Sequence, residues 1–295
     1  MLQFLKFDAK MTKIKFICFE INMITLNPNA KFSYNLVRGS NQARREFVSR
    51  MNEKFFDAFV SRVNKQGIRL QDIRDIYKQI LPECKSIELK KLNSQNYCGA
   101  SGYTYDSNNQ VTGVTLEVPV RCSRIHVEDF ITLMHENTHV LATLANPKHT
   151  ILTQKMHKDG KYTVNYDRWY GGVLYAKEEL SDSYKTDSLR KMVKSASLMF
   201  LSGKPLSDKI HYVQDARYEL EQEQLAYEEE VKYARKLKEL GFEVAEEDLQ
   251  NSDAEYFFSE KIEVLKELLA EYIQKARKNI AERNERKRCR ASYYA

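Results

Sequence analysis

Apolar residues recur every fourth position between residues 41 and 66: Phe47, Met51, Phe55, Phe59 and Val63. That spacing lines one face of a helix, and Gly67 is placed to end it. Before it, the Ile- and Phe-rich stretch 13–25 predicts a β-strand, followed by a turn at Asn27-Pro28-Asn29. A shorter helix is expected over 71–81, stopped by Pro82, and a short strand around Ile87 and Leu89. Residues 101–106 and 111–118 flank Ser107-Asn108-Asn109 and predict a hairpin. In its second arm Val114, Leu116 and Val118 alternate with Thr115 and Glu117, so one face should be buried. A helix over 126–145 follows, with Glu128 and Asp129 in the first turn, where the helix dipole favours acids, and Asn146-Pro147 at its end. The aromatic stretch 151–176, with Trp169, Tyr170 and Gly171-Gly172, predicts an irregular segment, either a surface loop or the wall of a cleft. Helices are then expected over 187–201, 208–240 and 254–288, with a polar connection at 242–253.

Strands mixed with helices come first and helices alone come later. That order predicts an α+β fold: helix-rich, with a small, mostly antiparallel sheet and long C-terminal helices. Residues 1–241 are expected to form the main domain. Residues 254–295 would be a terminal helix packed on helix 208–240 through Ile262, Leu265, Leu268, Leu269 and Tyr272.

Composition agrees: 30% charged, 42% hydrophobic, only 10 Gly and 5 Pro. No apolar run reaches the roughly 18 residues that a membrane-spanning helix needs. The N-terminus alternates apolar and charged residues and lacks the apolar core of a signal peptide, so a cytoplasmic location is expected. The five cysteines are odd in number and widely spaced, which points to a reducing compartment rather than a disulfide framework. Charge is concentrated. Residues 275–290 hold eight basic residues against two acidic ones, a difference of +6 that equals the net charge of the whole chain. Such a run can touch nucleic acid or an anionic surface, but it is more often a frayed, solvated tail, which is the expectation for it.

The chemistry concentrates in His135-Glu136-Asn137-Thr138-His139. On a helix, residues four apart share a face, so both imidazoles can reach one metal ion. Glu136, one step round, can hold a water bound to that ion and take its proton. Phe130, Leu133, Met134, Val140, Leu141 and Leu144 fall on the opposite half of the helix, which anchors it while the histidines face away. Asn137 projects into the apolar face and needs buried hydrogen-bond partners.

This H-E-x-x-H motif, preceded by a β-hairpin, resembles the zincin superfamily of metallopeptidases. The resemblance covers residues 101–146. It implies one Zn²⁺ per chain, Glu136 as general base, and a peptide or protein substrate extended along the edge strand of a small sheet. The metzincin branch is excluded, because its third histidine and preceding glycine would fall at Ala145 and Ala142. His149 lies beyond Pro147 and is a weaker ligand candidate.

The gluzincin branch takes its third ligand from a later helix in the form E-x-x-A, matched by Glu223-Gln224-Leu225-Ala226. Glu223 is therefore the expected third ligand, with Glu219 second. Where the branch commonly has an acid four residues on, this chain has Tyr227. With Glu223 as reference, Ala216, Leu220, Tyr227, Val231 and Ala234 lie within about 80°, Glu219 and Glu230 sit at the edge of that stripe, and Glu221, Glu228 and Glu229 are expected to be solvated. His211, Tyr212 and Tyr218 are candidates to stabilise an oxyanion. The functional expectation is a zinc metallopeptidase. The alternative is a helical binding protein for nucleic acid or a protein partner, with a structural or vestigial zinc site.

Overall fold

A computed structural model describes residues 41–64, 66–82, 86–92, 99–105, 111–145, 169–173, 185–249 and 252–293. The strand expected at 13–25, the turns at 27–29 and 107–109, Asn146-Pro147, His149 and most of 151–176 lie outside these residues.

The elements in chain order are α1 (Asn41–Val60), β1 (Ile68–Arg69), α2 (Leu70–Ile80), β2 (Ser86–Lys91), β3 (Ala100–Tyr105), β4 (Val111–Val118), β5 (Arg124–Ile125), α3 (Val127–Ala145), α4 (Lys185–Leu201), α5 (Leu206–Glu239), a 3₁₀ turn (Glu247–Leu249) and α6 (Ser252–Tyr293). This is a helix-rich α+β fold with a small sheet. The chain divides into two compact units. The first draws on Met1–Asp167 and Gln222–Glu255, the second on Arg168–Glu221 and Tyr256–Ala295.

In the first unit a three-stranded sheet runs in the order β2-β4-β3, leaving β3 at its edge among the described strands. β3 and β4 form the expected antiparallel hairpin, while β2 joins β4 in parallel, pairing Ile87 with Val114 and Leu89 with Leu116. A second, two-residue antiparallel pair joins β1 to β5. The buried face of β4 carries Val114, Leu116 and Val118 as the alternation predicts, but Thr115 is buried as well. One core joins this sheet to the helices. Phe55 and Phe59 of α1, Ile76 of α2, Leu116 of β4, Phe130 of α3 and Leu237 of α5 all belong to it. The Phe59 and Phe130 rings stack with centroids 3.6 Å apart.

Helix α1 ends at Val60 rather than running to 66. The chain instead closes a tight turn in which the Gly67 amide donates to the Asn64 carbonyl (2.8 Å) and the Gln66 amide to the Asn64 side chain (2.8 Å). Gly67 takes φ +85°, and a Cβ there would lie 2.2 Å from the Ile125 carbonyl oxygen. Its role is thus to bring β1 against β5, a consequence of the left-handed backbone that glycine accepts at little cost.

In the second unit residues 169–173 are helical, not a loop. Trp169, Tyr170 and Val173 are buried; the Trp169 indole donates to Ser197 Oγ (3.1 Å) and stacks on Phe200 (4.7 Å). Arg190 of α4 bridges to Glu260 of α6 (3.0 Å), and the Lys209 ammonium of α5 sits 5.8 Å above the Tyr272 ring of α6. No helix among the described residues is long and apolar enough to cross a membrane.

Candidate metal centre

Helix α3 is buried almost all round. Among residues 128–145 the positions that are not buried, apart from Asp129, are Glu128, Thr132, His135 and His139. They follow i, i+4, i+7, i+11 spacing, so a single narrow stripe of the helix is open and it carries both histidines. The apolar residues predicted to anchor the helix are buried, and Ile131, Ala142 and Ala145 join them.

The C-terminal part of α5, within the same unit, faces that stripe. His135 Nε2 lies 3.0 Å from His139 Nε2. The Glu223 carboxylate lies 3.6 Å from His135 Nε2 and 3.8 Å from His139 Nε2. These three residues can hold a metal ion, with all donor atoms within 4.8 Å of one another. The spacing fits the chemistry: nitrogen and oxygen ligands arranged tetrahedrally at 2.0–2.1 Å from a cation stand about 3.4 Å apart. Two imidazole lone pairs this close repel unless a proton or a cation lies between them.

Glu230 supplies a feature missed by the motif. Its carboxylate lies 3.3 Å from His135 Nδ1. A carboxylate there accepts a hydrogen bond from Nδ1–H, which keeps the proton on Nδ1 and leaves Nε2 as a bare lone pair aimed at the metal position. Burial alone would lower the His135 pKa, but the Glu223 and Glu230 carboxylates outweigh it and hold the cation-free imidazole well above its ordinary value. Tyr227, between the two glutamates, sets its ring edge-on to His135 with centroids 5.3 Å apart. Glu223, Tyr227 and Glu230 thus form one i, i+4, i+7 stripe. Glu230 lies two helical turns beyond Glu223, but as one of three consecutive glutamates it is not singled out by its spacing alone.

Glu136 is 7% exposed. Burial pushes its carboxyl above the usual range; His139 and His135 pull it back, and Glu223 pushes it further up. The Ser101 hydroxyl on the edge strand β3 donates to it. A Cβ on Gly99 would lie 2.8 Å from Glu136 Cγ and Oε1. The start of β3 is therefore pressed onto the Glu136 side chain. Nothing in the local sequence around Gly99 and Ser101 signals this, because the contact depends on how the hairpin docks on α3.

A buried polar network backs the motif. Asn137, 1% exposed, accepts from the Tyr77 hydroxyl (2.7 Å) and donates to Asn52 Oδ1 (2.6 Å). Asn52 donates in turn to Thr138 Oγ1 (2.9 Å) and to Glu229 Oε2 (3.0 Å). The partners that Asn137 requires are thus present, drawn from α1 and α2, and Asn52 carries the network on to α5. Glu229 is a correction: expected in solvent, it is 5% exposed. In this unit α5 turns Leu225, Glu229, Tyr233 and Leu237 to the interior, while Tyr227, expected in the apolar stripe, is 38% exposed. Val231 and Ala234 of the expected stripe are buried, and the burial of Glu229 comes from its hydrogen bond with Asn52 of α1, which hydrophobicity along α5 alone does not reveal. Glu228 is likewise not simply solvated, since it pairs with Arg45 of α1.

Glu219, His211, Tyr212 and Tyr218 lie on the part of α5 that belongs to the second unit. Among the described residues it is Glu223, not Glu219, that completes the donor group. Tyr212 is buried with its ring edge-on to Phe200 at 5.4 Å. No protein-family model, curated protein or solved structure matches this chain.

Proposed function

We propose that this chain is a zinc-dependent peptidase of the gluzincin type. The observation that carries the proposal is the convergence of His135 Nε2, His139 Nε2 and a Glu223 oxygen on one point, with the Glu136 carboxylate buried on the same helix. Two imidazoles and one carboxylate are the donor set of several hydrolytic zinc sites, and they leave a fourth position open. Bound there, zinc would supply a Lewis acid that polarises a carbonyl and brings the pKa of water towards about 7.

The residues of the chain do the rest. Glu136 takes the proton of the attacking water and returns it to the departing amine, a task that favours a carboxylate with a raised pKa. Ser101 orients that carboxylate from β3. The edge of β3, outermost on its side among the described strands, can pair with an extended peptide through backbone hydrogen bonds, which would set the scissile bond near Glu136.

The test separates metal binding from chemistry. Purified wild-type protein should carry about one zinc per chain and cleave an unstructured protein such as casein. Glu136→Gln should keep the zinc and lose cleavage by at least about a hundredfold, within the range expected of a general base. A Glu136→Gln protein as active as wild type would reject Glu136 as the base.

A further inference from the structure

The buried face of α6 comprises Phe258, Lys261, Ile262, Val264, Leu265, Leu268 and Leu269 and ends there, yet the helix continues to Tyr293. From Arg277 to Arg286 every residue is exposed, Ile280 included. Ten helical residues, Arg277–Arg286, are therefore exposed beyond the partly buried Ala276, a length of roughly 15 Å at 1.5 Å per residue. Residues 275–290 of this helix carry a net charge of +6, equal to that of the whole chain.

We propose that this projecting half of α6 binds the major groove of B-form duplex DNA. Three features select that partner. First, the cations surround the axis. At roughly 100° per residue, Lys275, Arg286, Arg283, Arg277 and Lys278 fall at about 0°, 20°, 80°, 200° and 300°. A flat surface meets one face of a helix, whereas a groove places phosphates on both sides of it. Second, the stretch has no apolar stripe, since Ala276, Ile280 and Ala281 are its only apolar residues between 275 and 286. A helix lying in a membrane interface needs such a stripe. Third, a helix about 10–12 Å across fits a major groove about 12 Å wide, and the deep, narrow major groove of A-form RNA does not admit it. Glu282 and Glu285 lie within the stretch and leave it strongly positive. The arrangement contacts phosphates and predicts no base preference.

Fluorescence anisotropy of a labelled mixed-sequence duplex of about 24 base pairs, titrated with the full chain, tests this. Binding at about 50 mM salt should be saturable. With about five phosphate contacts it should weaken several hundredfold by about 200 mM. The triple variant Arg277→Glu, Arg283→Glu, Arg286→Glu alters only exposed side chains, and should keep its circular dichroism and zinc content while losing at least tenfold in affinity. The proposal is overturned if wild type does not bind the duplex at low salt, if the triple variant binds as well, or if double-stranded RNA or phosphatidylserine vesicles are bound as tightly as DNA.

Discussion

His135 and His139 carry nitrogens 3.0 Å apart on a nearly buried helix, an arrangement that makes sense around a shared cation. Glu230 reaches this site through His135, with its carboxylate 3.3 Å from Nδ1. Replacing it with Gln keeps the side-chain volume but removes the charge that holds the Nδ1 proton. Zinc affinity, measured by competition with a chelating dye, should fall about 10–100-fold. An unchanged affinity would show that Glu230 is only a neighbour. Gly99 tests the other side of the site. A methyl group there would press on Glu136 at 2.8 Å. Gly99→Ala should therefore retain zinc and cut cleavage at least tenfold, while undiminished cleavage would mean that the contact does not position Glu136. Both residues were illegible as functional sites in advance. Gly99 lies far from the motif in sequence, and Glu230 is one of three consecutive glutamates, 228 to 230, that only the docking of α5 distinguishes.

At the scale of elements, α3 is held in register by Asn52. This one side chain connects α1 to Asn137 and Thr138 of α3 and to Glu229 of α5. Asn52→Leu would leave Asn137 and the Glu229 carboxylate without a buried partner that each now has. At about 1–3 kcal/mol for an unsatisfied buried group, and more for a charged one, the expected loss of stability is about 3 kcal/mol by urea unfolding. A loss under about 1 kcal/mol would contradict this role. The elements themselves were largely readable. The four-residue apolar spacing located α1, Pro82 bounded α2, the first-turn acids and Asn146-Pro147 bounded α3, and alternation located β4. What failed was length and the placing of single residues where tertiary partners decide: α1 stops short because the Asn64–Gly67 turn brings β1 to β5, and Glu229 turns inward towards Asn52 of α1 while Ala216, Leu220, Val231 and Ala234 are buried as expected. The parallel partnership of β2 with β4 leaves no local trace, since pairing between distant segments is set by packing.

At the scale of the molecule, an α+β unit supplies every member of the donor group, and a second unit of helices carries the cationic extension of α6. The His pair and Glu223 were legible because ligand spacing on a helix is a local property and the E-x-x-A match pointed to α5. The outer carboxylate and the Ser101 contact were not, because they arise from how α3, α5 and β3 meet. The central claim is that His135, His139 and Glu223 grip a zinc ion. A crystal structure of zinc-loaded protein, with diffraction recorded on both sides of the zinc absorption edge, tests it most directly. The account predicts one anomalous peak per chain, within about 2.0–2.2 Å of His135 Nε2, His139 Nε2 and a Glu223 oxygen. Protein that stays free of zinc after incubation with excess metal, or a peak bound elsewhere, would contradict it.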